Sequence, residues 1–370
     1  MSINGLPFLG FLLAALTVYY LVPGRFQWMV LLAAGTWFYL SASGAAAVYL
    51  ALTILLTYGA GLGMDALTQR MKAAQAGAAD RRERARIKQI WVKRKRRLLI
   101  AVLCLNFLSL FVFKYAASCL GGVNDLLARL NAGMRLPVPQ LLLPLGISFY
   151  TFQTLGYLID LYRGKYPPER NLLRYALFAS YFPQMIQGPI NRYSELQPQL
   201  TAPHRFDAAC IRDGILLMMW GMLKKVFIAD TLAPGVSEIY ANYGVYSGAV
   251  TLLGSALYCI QLYCDFSGGV DVVRGASQLF GVEMAENFRR PYFATSLDDF
   301  WRRWHISLGE WMKDYLFYPM ALSPRMTHLS KRIRGWVSPH YAKLFTPCAA
   351  TLVVFLVVGV WQGPGLSNLA

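Results

Sequence analysis

The chain has 370 residues, of which 56% are hydrophobic and only 15% charged. A soluble domain of ordinary composition carries about 25% charged residues, so a wholly water-exposed globule is excluded and a multi-span integral membrane protein is expected. The net charge of +17 is concentrated: Arg70 to Arg97 holds 12 lysines and arginines against Asp80 and Glu83, a net of +10 in 28 residues.

Three apolar segments come first, Leu6–Val22, Phe26–Leu40 and Ala45–Gly63, each near the roughly 20 residues that span a bilayer. No Lys or Arg precedes the first, so the positive n-region of a cleavable signal is missing and this helix is expected to stay. The basic segment follows, read as a loop. Retention of cations on the cytoplasmic face and contact with anionic lipid account for it more simply than nucleic acid, so no nucleic-acid partner is expected. Three spans before a cytoplasmic loop place the N-terminus outside. Leu98–Ala116 is the fourth span, Gly121–Pro139 an outer connection, and Leu141–Leu161 a return span ending at Asp160 and Arg163, expected to pair at the interface.

Leu172–Ile190 is apolar but carries Pro183 and Gly188-Pro189, which predicts a broken or re-entrant helix buried in protein or lining a cavity. Ile215–Leu232 is interrupted by Lys224-Lys225, read as snorkelling lysines. Val250–Ser267 places Gln261 and Asp265 one turn apart and is expected to stop at a Gly268-Gly269 break. A basic loop, Arg325–Lys343, and a final span, Leu344–Trp361, close the pattern. The six cysteines form no CxxC pair and read as small buried thiols; no metal-ligand spacing occurs.

The densest chemistry lies in Phe300–Leu322. Trp301, Trp304, His305, Leu308, Trp311, Met312 and Tyr315 share one face of a helical repeat, with Arg302, Arg303, Glu310, Lys313 and Asp314 off it. Ser296-Leu297-Asp298-Asp299 fits a capping-box start. His305 is therefore placed one turn inside a single capped helix, facing packed protein. It is a candidate general base that deprotonates a hydroxyl, since a neutral imidazole titrates near working pH; the alternative is a packed histidine bonded to a backbone carbonyl. Asp265 could orient a histidine, bind a cation or cap the following helix or, more simply, pairs with Arg302 or Arg303. His204, His328 and His340 read as surface residues. Nucleotide-loop, zinc-protease and GxSxG motifs are absent.

Five strings give these residues a context: LPLGISFYTFQTLGYLIDLYRG (Leu143–Gly164), FPQMIQGPINRY (Phe182–Tyr193), GMLKKVFIAD (Gly221–Asp230), LYCDFSGG (Leu262–Gly269) and ENFRRPYFATSLDDFWRRWHISLGEWMKDYLFYP (Glu286–Pro319). Here the chain resembles the membrane-bound O-acyltransferase family, in the branch that holds alginate O-acetyltransferases and teichoic acid D-alanyl transferases. The resemblance implies an all-α polytopic fold with broken helices around a central tunnel, formed as one membrane domain over residues 1–370 and lacking the family's C-terminal spans. It implies transfer of an acyl group, acetyl first among them, from a cytoplasmic donor to an extracytoplasmic polysaccharide, with an extracytoplasmic partner protein, in a bacterial-type plasma membrane. No bound cofactor is implied. The donor would be acetyl-coenzyme A or an acylated carrier protein.

Two histidines characterise the family. One matches His305. The other, generally taken as the base, belongs to a WHG element that reads Trp361-Gln362-Gly363 here, so Gln362 occupies its place. Glutamine hydrogen-bonds but cannot accept a proton as a base. Asn287, Asp265, Trp301, Arg302, Arg303, Trp304 and Trp361 are expected to line or support the site, with Arg302, Arg303 and Lys313 neutralising a phosphorylated donor or lipid headgroups. A non-catalytic scaffold or acyl conduit, D-alanyl transfer to teichoic acid, and a secondary transporter are the alternatives.

Overall fold

A computed structural model describes residues 5–130, 134–138, 144–333, 335–336 and 338–363. In chain order the helices are α1 (Leu6–Leu21), α2 (Gln27–Ser43), α3 (Ala47–Ala76), α4 (Arg81–Arg129), α5 (Ile147–Arg163), α6 (Leu172–Ser180), α7 (Phe182–Gln187), α8 (Tyr193–Thr201), α9 (Ala208–Met222), α10 (Asp230–Ala241), α11 (Gly248–Gln278), α12 (Leu297–Arg303), α13 (Ile306–Met312), α14 (Tyr318–Ala321), α15 (Pro324–Ile333) and α16 (Pro339–Gln362). Among the described residues there is no strand, only an isolated antiparallel bridge between Phe288 and Trp304. Four helical stretches are long and apolar enough to cross a membrane: Gly24–Ala76, Arg81–Arg129, Gly248–Gln278 and Lys343–Gln362. The start of the expected Leu141–Leu161 span and everything after Gly363 lie outside the described residues.

The chain groups into two compact units. The first comprises Met1–Leu62, Pro144–Tyr157 and Tyr166–Ser307; the second comprises Gly63–Leu143, Leu158–Lys165 and Leu308–Ala370.

In the first unit, α11 packs along α9 and the π-helical turn Leu223–Ala229 that continues α9 into α10. Glycines set the spacing. A methyl group built on Gly221 would come 2.6 Å from the Gly268 carbonyl oxygen, and one on Gly275 would come 2.5 Å from that of Gly214. Small residues let backbones approach closely where both helices face lipid and apolar burial gives little net drive. The expected break at Gly268-Gly269 is therefore absent: α11 runs straight through both glycines, which are packing positions and not a hinge.

The segment Leu172–Ile190 is broken as expected. Helix α6 ends at Ser180, Tyr181 is extended at φ −60° and ψ 110°, and α7 restarts at Phe182 for six residues. Side-chain amides satisfy polar groups around the break, as interior non-helical backbone requires. Gln153 Nε2 donates to the Phe178 carbonyl at 2.9 Å, and Gln184 Oε1 accepts from Gln153 at 3.2 Å and Asn191 at 3.1 Å. Gly35 brings α2 against this backbone; a methyl group there would sit 2.7 Å from the Ser180 carbonyl.

Two sequence readings change. His204 is half-buried, its Nδ1 2.8 Å from the Tyr19 hydroxyl and its backbone clamped by Gln27, because the chain before α9 folds back on α1 and α2. Lys224 does not snorkel. The π turn directs it inward, where its ammonium meets Asp271 at 2.6 Å and Ser267 Oγ at 2.9 Å. A buried cation is tolerated only when paired and hydrogen-bonded.

In the second unit the basic segment is helical rather than a loop. Helix α3 continues to Ala76, and α4 begins at Arg81 behind an Asp80 cap that accepts from the Glu83 amide at 2.6 Å. Glu83 reaches back to the Ala79 amide at 2.8 Å, completing a reciprocal cap. The expected fourth span is the middle of this 49-residue helix. The Arg325–Lys343 loop is also largely helical, as α15 and the start of α16. Asp160 and Arg163 pair as expected, at 3.9 Å, and the buried Asp160 carboxylate also takes the Tyr315 hydroxyl at 2.7 Å and Lys165 at 2.9 Å.

Candidate active site

The single capped helix expected around His305 is two helices. Its start is as read: Ser296 Oγ accepts from the Asp299 amide at 3.1 Å, while the Asp299 carboxylate accepts from the Thr295 amide at 3.2 Å. Helix α12 then stops at Arg303. Trp304 is extended, His305 adopts φ +46°, and α13 restarts at Ile306. A left-handed backbone at a non-glycine residue costs about 1–2 kcal/mol and persists only where surroundings enforce it. The enforcing element is the Phe288–Trp304 bridge, in which the Arg289 amide bonds the Arg303 carbonyl at 2.9 Å and the Ile306 amide bonds the Asn287 carbonyl at 3.0 Å. Arg290, next in that strand-like pair, is also left-handed at φ +44°. Beyond the kink the helical face holds, and Leu308, Trp311, Met312 and Tyr315 are buried.

The kink delivers His305 to Asn287. Asn287 is fully buried, and its Oδ1 accepts from the Ser307 amide at 3.1 Å, from Ser307 Oγ at 2.9 Å and from His305 Nδ1 at 3.1 Å. The Ser307 amide can only donate, so the oxygen of Asn287, not its nitrogen, faces this cluster. It follows that His305 Nδ1 carries the proton and Nε2 carries the lone pair. Ser307 Oγ is itself held by the Ile190 amide at 3.0 Å, which ties the cluster to the broken helix. Among the described residues the buried Asn287 Nδ2 donor has no hydrogen-bond partner.

Aromatic rings wall the imidazole. Phe266 meets it edge-on at 4.8 Å between centroids, and Phe288 lies at 6.5 Å, 26° from parallel. Trp304 packs on Phe288 at 5.1 Å and on Phe300 at 5.7 Å. His305 lies outside the four apolar stretches, and burial pushes its pKa down to about 4, so the resting imidazole is neutral.

Other expected site residues are placed differently. Asp265 pairs with Lys225, not with Arg302 or Arg303, because the π turn brings Lys225 over α11. Arg302 and Arg303 are bound by Asp298 and Asp299 one turn earlier on α12, so neither is a bare cation awaiting a phosphate. Lys313 is exposed, its ammonium 5.8 Å from the Tyr318 ring. Trp301 is 45% exposed and meets Phe300 edge-on at 5.3 Å between centroids. In the second unit, Gln362 is the exposed last residue of α16. The adjacent Trp361 carbonyl accepts from Lys114 Nζ, which also sits 5.2 Å from the Trp361 ring. Lys114 and Ser307 escaped the sequence reading: the first sits alone in an apolar span, and the second is an ordinary serine until the kink turns it onto Asn287.

The profile of the membrane-bound O-acyltransferase family matches residues 167–332, which contain Asn287, His305 and Ser307. The chain is 34% identical over 361 residues to the probable alginate O-acetylase of Pseudomonas aeruginosa, covering 97% of this chain and 61% of that protein. It is 33% identical over 303 residues to the peptidoglycan O-acetyltransferase of Helicobacter pylori, covering 73% and 52%. It is 28% identical over 235 residues to the teichoic acid D-alanyltransferase of Bacillus subtilis, covering 61% and 55%. The chain thus spans about three-fifths of the length of the alginate relative it matches.

Proposed function

The chain belongs to the membrane-bound O-acyltransferase family, and from that premise we propose that it transfers an acyl group, acetyl in the first instance, from a cytoplasmic donor to hydroxyls of an extracytoplasmic polysaccharide. The observation that carries this reading is the Asn287-held His305, with Nδ1 protonated and Nε2 left as the acceptor. The relatives that cover most of this chain carry O-acetylation in their names.

In the proposed step, His305 Nε2 accepts the proton of the acceptor hydroxyl. The hydroxyl oxygen forms the new ester bond to the acyl carbon, the bond from that carbon to the donor thiol breaks, and the proton passes from Nε2 to the leaving sulfur. A pKa near 4 makes the resting imidazole always available but weakly basic. Negative charge developing on the acyl oxygen beside it raises that basicity as the reaction proceeds. The aromatic walls exclude water that would otherwise hydrolyse the acyl group. The donor is a thioester, on coenzyme A or on a carrier protein, and the basic hairpin of α3 and α4 marks the cytoplasmic face, which leaves the N-terminus outside.

The test is the O-acetyl content of surface polysaccharide in cells expressing this chain. The wild type is expected to acetylate, and His305→Ala to lose about 10²-fold or more of that activity; full activity in His305→Ala would sink the assignment. Gln362 favours a second reading, a scaffold that hands the acyl group to a partner transferase. Acetylation that survives loss of both His305 and Gln362 supports it, whereas acetylation gained only in Gln362→His supports the family's second histidine as the missing base.

A further inference from the structure

One cation of α4 stands apart from the basic segment. Lys114 is the only charged side chain between Arg97 and Asp125. At 1.5 Å of rise per residue it lies about 25 Å beyond Arg97 along the helix. The rule that keeps cations on the cytoplasmic face accounts for Arg70 to Arg97, and not for a lysine so far from them. An ammonium within an apolar helix is costly, and such a residue marks a functional place by default.

Its contact is specific. Helix α16 ends at Gln362, and Gly363 is extended at φ 171° and ψ 173°, not in the left-handed turn that closes many helices. Lys114 closes the end instead: its Nζ donates to the Trp361 carbonyl and lies 5.2 Å from the Trp361 ring. Lys114 and Trp361 are half-buried, and Gln362 is exposed. Among the described residues Lys114 meets no carboxylate. The elements packed against α16 are α14, α15 and the π-helical turn Lys313–Phe317. They hold one carboxylate, Asp314, against Lys313, Arg325, Lys331 and Arg332. Tyr315 gives its hydroxyl to Asp160, Tyr318 lies by Lys313, and His328 is exposed. On α4 the nearest titratable neighbours of Lys114 are Tyr115 and Cys119, and α16 has none after Cys348. The ammonium thus carries a charge that no neighbouring anion offsets.

The last carbonyls of a helix carry partial negative charge, and a histidine beside them is drawn into its protonated form. Lys114 already occupies that place. Its charge is one peptide unit from residue 362 and opposes a second cation there. A neutral amide or hydroxyl would close the same carbonyl without the cost of a charge in an apolar helix, so capping alone leaves the ammonium unexplained. We propose that Lys114 is a positioning residue for position 362: it caps α16, and its uncompensated charge keeps the group presented there neutral, with a lone pair free to take a proton. Glutamine is neutral at every pH and meets the first half of that requirement. The electrostatic effect stands on the Lys114 contact alone; only its use in catalysis rests on the acyl transfer proposed above.

The experiment uses the full chain in nanodiscs with isotope-labelled histidine, and follows by NMR the imidazole introduced by Gln362→His, identified as the signal absent from the wild type. That imidazole is expected to titrate below the usual value of about 6.5. Adding Lys114→Gln should raise its midpoint by about half a unit or more, and adding Lys114→Arg should leave it low. Lys114→Gln keeps a donor for the Trp361 carbonyl, so a purely structural cap would not move the titration; a monodisperse elution profile checks folding in each variant. An imidazole that titrates at or above the usual value beside Lys114, or one indifferent to Lys114→Gln, overturns the proposal. Acetylation by Gln362→His should show an acid-side inflection that moves with the same two variants. A shifted titration without any acetylation would leave this inference standing and count against the catalytic reading alone.

Discussion

At the scale of single residues, the proposed chemistry turns on which nitrogen of His305 carries the proton. Asn287 Oδ1 fixes it at Nδ1. Asn287→Ala is expected to keep the fold of α12 and α13 but lower transfer through kcat, with little change in KM, because the imidazole loses its orientation and not its substrate contacts. Asn287→Asp makes a sharper test. A carboxylate against Nδ1–H raises the histidine pKa, so activity that is flat between pH 5 and 8 in the wild type should acquire an inflection within that range. The sign for stability follows from the depressed value near 4. The folded state binds fewer protons than the unfolded chain, so stability from His305 is complete above about pH 6.5 and declines as pH falls toward 4. Thermal unfolding in detergent at pH 7.5 and 5 should show a smaller difference in His305→Gln than in the wild type.

At the scale of elements, the π turn after α9 and the glycines of α11 hold the scaffold. Buried Lys224 and half-buried Asp271 form an ion pair, and the same carboxylate lies 3.7 Å from Arg274. Breaking it from one side, as in Asp271→Asn, strands a charge and is expected to cost about 3–5 kcal/mol, whereas Lys224→Met with Asp271→Leu recovers most of that; the folded fraction after heating reads both. Gly221→Val drives a side chain into the Gly268 backbone and is expected to abolish folded protein, while Gly121→Ala, which meets nothing within 4 Å, leaves it unchanged. Sequence patterning revealed the elements better than their joints. Apolar runs located the long helices, Pro183 and Gly188-Pro189 announced the broken one, and Ser296 announced the start of α12. The same reasoning read Gly268-Gly269 as a break and Trp301–Tyr315 as one helix. Glycine is ambiguous until a neighbouring backbone is seen against it. A left-handed kink at a histidine leaves no local signature, because the bridge that imposes it comes from Phe288, seventeen residues before His305.

At the scale of the whole molecule, composition pointed to a membrane protein, and the family match over residues 167–332 with the alginate O-acetylase relatives gave its class. Sequence reading could not pair Asp265 with Lys225 or Lys114 with Trp361, since those contacts join segments 40 and 247 residues apart. The basic segment was legible as charge but not as helix, because the inward positions Met64, Leu67 and Met71 of α3 are diluted by small and polar residues. Labelling of a single cysteine introduced at Gln89 should proceed from the cytoplasmic side only, and labelling from outside would reverse the proposed orientation. The most direct test of the central claim is the alkali-released acetate of surface polysaccharide from cells expressing the wild type, Asn287→Ala and His305→Ala at matched membrane levels. The catalytic account predicts a graded loss, partial in Asn287→Ala and complete in His305→Ala. Equal acetate from all three would contradict it.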